Sequence, residues 1–231
     1  MTKQQILCLA KNAGADKCGI APARIYEELL PILEKRSPTP FVKPDFAKRI
    51  NPYLYLKDAK SVIVCLFKYR EGDDKTVARY ARGGDYHPYI KEKLKSICEN
   101  LQGKHKILVD SGSLPEKHIA YLAGLGYFGK NNLLYSEGLG SYFNIGLILT
   151  DLELQPDTPL KRKCQQCDRC IKACPGGALG DGFCLEAEKC ASYLTQKEEK
   201  LTEEQKEILK GNPYTLGCDI CADVCPLNKE K

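Results

Sequence analysis

Residues Cys164–Pro175 read CQQCDRCIKACP, and residues Cys218–Pro226 read CDICADVCP. The first is C-x2-C-x2-C-x3-C-P, a spacing that sets thiolates on tight turns around an iron–sulfur cubane. The second, C-x2-C-x3-C-P, supplies three more. In two-cluster proteins the fourth cysteine of such a run ligates the other cluster. That rule gives one [4Fe–4S] cluster Cys164, Cys167, Cys170 and Cys225. It gives the other Cys174, Cys218, Cys221 and one cysteine from between the runs, where Cys184 and Cys190 both stand. A disulfide scaffold would suit a small secreted domain, but the chain carries no secretory signal. Structural zinc uses C-x2-C pairs, and the first run crowds too many thiolates for closed tetrahedral sites.

The rest of the chain is ordinary in composition. It has 231 residues, a net charge of +5 and 13 cysteines. That length accommodates a medium domain and a small one. A mildly basic balance is compatible with an anionic partner without demanding one. Cys8, Cys18, Cys65 and Cys98 have no ligand spacing and read as small core hydrophobes. Reduced thiols and clusters together point to the cytoplasm. No apolar run is long enough to span a bilayer.

Working back from the cysteines, Gln155–Pro159 reads as a linker, dividing the chain into domains 1–155 and 160–231. Before it, strands alternate with helices. Residues 3–13 have a helical stripe, Lys17–Ala21 a short strand, and residues 26–36 a helix kinked or broken at Pro31. Ser37–Asp45 carries three prolines and reads as an extended loop. Ser61–Phe67 (SVIVCLF), Lys106–Asp110 (KILVD) and Asn144–Thr150 (NIGLILT) read as buried strands. Pro88 suits the first position of a helix running to Gly103. Ser113 and Glu116 have capping-box spacing for the next helix. Residues 197–210 read as a solvated helix, and His87 and His118 as structural or solvated.

Gly124–Lys130 (GLGYFGK) matches two phosphate-loop patterns. It follows a helix rather than a strand, however, and Asn131 stands where a P-loop needs Ser or Thr. What survives is a glycine loop that admits close approach, with Lys130, Asn131 and Asn132 as donors beside it. GLGSY (138–142) offers a second such surface. Asp110, at the end of a strand, reads either as a turn former or as an acid presented at a strand end.

RYARGGDYHPYIKEKL, VDSGSLPEKHIAYLAGLGYFGKNNLL, GSYFNIGLILTDLEL, CASYLT and GCDICADVCPLN occur in that order. Together with the first cysteine run they resemble the epoxyqueuosine reductase family, cobalamin and iron–sulfur enzymes of tRNA queuosine synthesis. The resemblance runs from about Gly19 to Asn228. It implies an α+β chain: a nitroreductase-like α/β domain that binds cobalamin, followed by a ferredoxin-like double-cluster domain. It selects Cys190 as the middle ligand and makes Asp110 the proton donor. It places Tyr86, Asp110, Gly129, Lys130, Asn131, Asn132 and Ser141 at the cobalamin. It further implies a tRNA anticodon loop as substrate, a low-potential electron donor and a monomer.

The chain departs from the pattern in ending without a helical-repeat domain, and in carrying Tyr127 and Leu227 where the family usually has Trp. Two other readings remain on the sequence: a reductive-dehalogenase-like reductase of a small molecule, and a plain electron carrier. The carrier reading leaves the leading domain without a purpose.

Overall fold

The computed structural model describes residues 1–35, 45–165 and 167–229. Helix α1 (Lys3–Asn12) starts in a capping box in which Thr2 and Gln5 satisfy each other's backbone amides. Strand β1 (Lys17–Pro22) follows. A 3-10 turn then leads into α2 (Leu30–Glu34), with Pro31 in its first turn. Pro31 therefore starts a helix rather than kinking one, because a first-turn residue has no intrahelical amide bond to lose. The proline-rich stretch 37–45 lies outside the described residues but for Asp45, which caps α3 (Phe46–Ile50).

Strand β2 (Ser61–Lys68) is buried from end to end except Lys68. Short α4 (Arg79–Arg82) precedes α5 (Tyr86–Cys98), so Pro88 stands third in its helix. After β3 (His105–Leu108) and α6 (Glu116–Leu122) come the two-residue strands β4 (Tyr127–Phe128) and β5 (Leu134–Tyr135), and then β6 (Phe143–Thr150). The cysteine segments carry α7 (Arg169–Ala173), α8 (Ala191–Leu194), α9 (Glu203–Lys210) and α10 (Ile220–Asp223).

The chain groups into two compact units, and they do not follow chain order. The first comprises residues 1–68, 86–126 and 144–161. The second comprises residues 69–85, 127–143 and 162–231. A cut at the 155–159 linker therefore describes the backbone but not the packing: two segments from before the linker belong with the cysteines. The linker itself is held, since Asp157 exchanges bonds with Ile20 through its backbone N–H (2.8 Å) and its carboxylate (2.9 Å).

The first unit is built on a sheet of order β1-β2-β6-β3, with β1–β2 and β3–β6 antiparallel. Alternation along β2 separates its two faces. Ile63, Cys65 and Phe67 join Ile20, Ile148 and the stripes of α1 (Ile6, Ala10) and α5 (Ile90, Leu94, Ile97) in one core. The other face receives α6. Gly19 marks the contact, since a Cβ there would stand 2.5 Å from the Ala123 carbonyl oxygen.

Strand β3 is an edge strand with His105 and Lys106 exposed, not the fully buried strand read from its apolar letters. Of the scattered cysteines, Cys65 and Cys98 are buried in the core and Cys18 packs against it, but Cys8 is exposed on α1.

The Gly19 contact fixes α6, and with it the turn that leads from β3 into α6. Gly19→Val should cost about 1–3 kcal/mol by overpacking, read as a lowered unfolding midpoint in urea. An unchanged midpoint would refute the packing.

Candidate active site and cluster thiols

In the first unit the site is assembled at the end of β3. Val109 is fully buried, and the chain then turns at Asp110, whose φ of 46° lies in the left-handed region. Aspartate tolerates that region better than most residues, at about 1–2 kcal/mol. Three bonds hold the turn. Tyr86 donates its hydroxyl to Asp110 Oδ2 at 2.7 Å. The Asp110 N–H donates to Glu116 Oε1 at 2.7 Å. The Ser113 N–H donates to the Tyr55 hydroxyl at 2.9 Å. Asp110 stays exposed while Leu114 is buried, so the turn presents a carboxylate on a fixed backbone.

Glu116 is the residue that sequence reasoning misplaced. Capping-box spacing assigned it to Ser113, but α6 starts at Glu116 behind Pro115 with no side-chain cap. The carboxylate reaches back to Asp110 instead. Burial, and then the Asp110 charge, push the Glu116 carboxyl up to about 8, against the pull of the Asp110 amide. His118, two residues on, bonds Glu28 at 2.9 Å.

The remaining residues read as cobalamin contacts lie in the second unit, each with partners of its own. Lys130 Nζ pairs with Asp168 at 2.5 Å, inside the first cysteine run. Asn131 is buried and donates to the Tyr135 hydroxyl (2.8 Å) and the Cys221 carbonyl (3.2 Å). Ser141 exchanges bonds with Asn228, and Asn132 sits in the left-handed region at φ 60°.

Gly129 is glycine for a local reason, since a Cβ would lie 2.6 Å from the Tyr135 ring. Gly124 likewise leaves room for the Thr158 carbonyl oxygen, 2.6 Å from a Cβ built there. Internal packing thus accounts for both glycines. Just after β5 the Ser136 hydroxyl is buried without a hydrogen-bond partner among the described residues. That is the kind of orphaned group a bound polar molecule satisfies.

The thiols sort into two sets. Cys218 is pushed up to about 11 by burial and then by Cys190, Asp219 and Cys174, against the Ile220 amide. Cys221 is raised by burial and then by Cys218, Cys190, Cys174 and Cys170. Cys170 is raised by burial and, further, by Cys225 and Cys164. Cys174 thus acts on the second run and Cys225 on the first, while Cys170 also acts on Cys221. Cys190 is a neighbour of the second set, whereas the exposed Cys184 turns its thiol to the Leu179 carbonyl at 3.6 Å. Cys167 is exposed between Cys164 and Cys170.

Among the described residues, no three His, Cys, Asp or Glu side chains gather closely enough to hold a single metal ion. A cubane takes one thiolate per corner and accepts a wider set. The donor set fits that group. Buried thiols that crowd one another stay protonated until bound iron makes the thiolate the favoured form.

Residues 163–228 match the family model described as a 4Fe-4S double cluster binding domain. Residues 49–111 match the model described as epoxyqueuosine reductase QueG, DUF1730. The chain is 36% identical to the epoxyqueuosine reductase of Leadbetterella byssophila, over 97% of this chain and 79% of the relative. It is 34% identical to that of Bacillus anthracis over 98% of this chain, and spans 64% of that relative's length.

The fold is similar to epoxyqueuosine reductase from Streptococcus thermophilus, with TM-score 0.89 and 30% identity over 99% of this chain and 66% of that one. It is also similar to the Bacillus subtilis enzyme described with an aspartate-bearing catalytic loop swung out of the active site. There the TM-score is 0.86 and the identity 32%, over 99% of this chain and 66% of that one. A third similar structure holds an epoxyqueuosine-modified tRNA stem loop, with TM-score 0.88 and 33% identity over 99% and 66%. Likeness to reductive dehalogenases, at 19–21% identity and TM-scores of 0.62–0.65, concerns the fold alone.

Two measurements check these sites. Cys190→Ser should cost the reconstituted protein about four of about eight irons, whereas Cys184→Ser should cost none. Equal loss in both would overturn the sorting. For Glu116, the folded chain holds a proton that the unfolded chain releases above about pH 4.5, so this group's contribution to stability falls as pH rises towards about 8. Glu116→Gln should flatten the decline of the melting temperature across that window. Parallel curves would refute the proton-holding carboxyl.

Proposed function

The chain belongs to the epoxyqueuosine reductase family, and from that premise we propose that it reduces epoxyqueuosine to queuosine in a tRNA anticodon loop. The observation that carries the reading is the exposed Asp110 carboxylate, fixed on a left-handed turn and hydrogen-bonded by Tyr86 at 2.7 Å. Removing an epoxide oxygen to leave an alkene takes two electrons and two protons, and the oxygen departs as water. Two [4Fe–4S] clusters and cobalamin supply the electrons when bound.

The residues assigned to the first cluster are Cys164, Cys167, Cys170 and Cys225; those assigned to the second are Cys174, Cys190, Cys218 and Cys221. Cobalamin is assigned to the segment of Gly129, Asn132 and Ser141 around β5, where the Ser136 hydroxyl has no partner among the described residues. Lys130 and Asn131 support that segment through Asp168 and Cys221.

Asp110 holds the proton for the departing oxygen. Tyr86 orients the carboxylate and returns a hydrogen bond as it ionises. The swung-out loop described for the Bacillus subtilis relative gives reason to expect two positions for the 110–115 turn here. No helix among the described residues is long and apolar enough to cross a membrane. We place the enzyme in the cytoplasm, working as a monomer with a low-potential electron donor.

Asp110→Asn keeps the shape but carries no transferable proton. It should retain iron, sulfide and cobalamin, yet lose turnover by roughly 10²–10⁴-fold on a modified stem loop with saturating reductant. Turnover near that of the wild type would return Asp110 to a turn-forming role.

A further inference from the structure

The geometry points to Glu116 as the positioning residue of the site, a latch whose side-chain oxygen holds the Asp110 turn in its catalytic position by accepting the Asp110 N–H. This rests on the assignment of Asp110 as proton donor. Three observations carry it. The bond is short, at 2.7 Å, and spans six residues. It closes on the one residue of the turn whose backbone is in the left-handed region without being glycine. And it takes Glu116 away from the capping role that its spacing offers, leaving α6 without a side-chain cap. A helix start that forgoes its cap to hold a neighbouring turn gains nothing locally. The gain lies at Asp110.

The other bonds divide the work differently. Tyr86 reaches the Asp110 carboxylate and sets where its oxygens point. Tyr55 accepts from Ser113 and anchors the middle of the turn. Among the described residues, the Glu116 bond alone acts on the Asp110 backbone, and it holds the residue in the left-handed region. Were it lost, the turn would relax to an ordinary backbone conformation and carry the carboxylate away from its place, with Asp110 chemically intact.

What a latch requires is reach and an acceptor oxygen; it does not require negative charge. Glu116→Gln keeps both. Glu116→Asp keeps the charge but is one methylene too short, and Glu116→Ala keeps neither.

The test uses the holoprotein with clusters and cobalamin, a modified anticodon stem loop and saturating reductant. Hydrogen–deuterium exchange over residues 109–115 is the readout independent of turnover. Glu116→Asp and Glu116→Ala should lower kcat by roughly 10- to 100-fold, the usual penalty for misplacing a catalytic group, with KM changed little and exchange at the Asp110 amide faster by about the same factor. Glu116→Gln should recover most of kcat and the slow exchange.

If Glu116→Gln is as poor as Glu116→Ala, the role is charge or proton transfer and the latch is wrong. If Glu116→Asp keeps wild-type exchange and kcat, the bond is not needed and the latch is wrong. Should Glu116→Ala fail to fold, the Asp and Gln pair decides alone. Asp110→Asn, measured alongside, separates the two levels. If it is active, the proton-donor assignment falls. If it is inactive while Glu116→Asp is not, only the latch falls.

Discussion

The second unit is organised by the crowding of its two cysteine runs. Burial, and then charge from Cys190 and Cys174 among others, raises Cys218 and Cys221, and burial followed by Cys225 and Cys164 raises Cys170. Two segments about fifty residues apart in sequence must therefore lie side by side, and α7 and α10 pack against each other. Everything else in the unit is wrapped on that pair. Residues 76–79 run along the second cysteine run: Ala78 donates to the Leu216 carbonyl at 2.8 Å and the Arg79 N–H to Asp219 at 2.7 Å. Asp223 then gathers the Arg79 guanidinium and the Tyr142 hydroxyl. Asn228 fixes Ser141, and the Cys221 carbonyl fixes Asn131. Neutral polar bonds of this kind contribute about 1 kcal/mol each, yet together they position a set of thiols that would otherwise repel one another once ionised.

What the sequence revealed follows from how local each signal was. The cysteine spacing states its chemistry outright, because thiolates on tight turns have few other uses at those intervals. Ser61–Phe67 was legible as a central strand since its apolar run reports burial on both faces. KILVD gave the wrong environment for the same reason in reverse: apolar letters report one buried face, but edge position depends on strand order, which no single segment encodes. The partners of Lys130 and Gly129, Asp168 and Tyr135, were not legible because no local spacing ties them together. Glu116 failed most instructively. The three-residue interval to Ser113 is a true capping signal, and the bond to Asp110 that displaced it depends on a backbone turn with no signature in the letters.

The two aromatic departures belong together. Tyr127 and Leu227 both pack in the small apolar cluster around Tyr135 and Cys225. Both side chains therefore share one apolar environment with Cys225. The surroundings stay apolar, and surroundings of that kind set the potential of an iron–sulfur centre through solvent exclusion and hydrogen bonds to sulfur. The Asn131 bonds to Tyr135 and to the Cys221 carbonyl keep the polar side of that environment in place.

The pairing of two acids at the β3 turn has a physical logic of its own. A second negative charge beside the exposed Asp110 carboxylate would be repelled by it. Yet the Asp110 backbone needs a strong acceptor, and a glutamate oxygen is a good one. Burial resolves the conflict. Glu116, held up at about 8, is largely neutral near pH 7, and a neutral carboxyl still accepts a hydrogen bond through its carbonyl oxygen. The turn thus receives the acceptor without the charge. The Asp110 charge itself contributes to keeping Glu116 protonated, after burial.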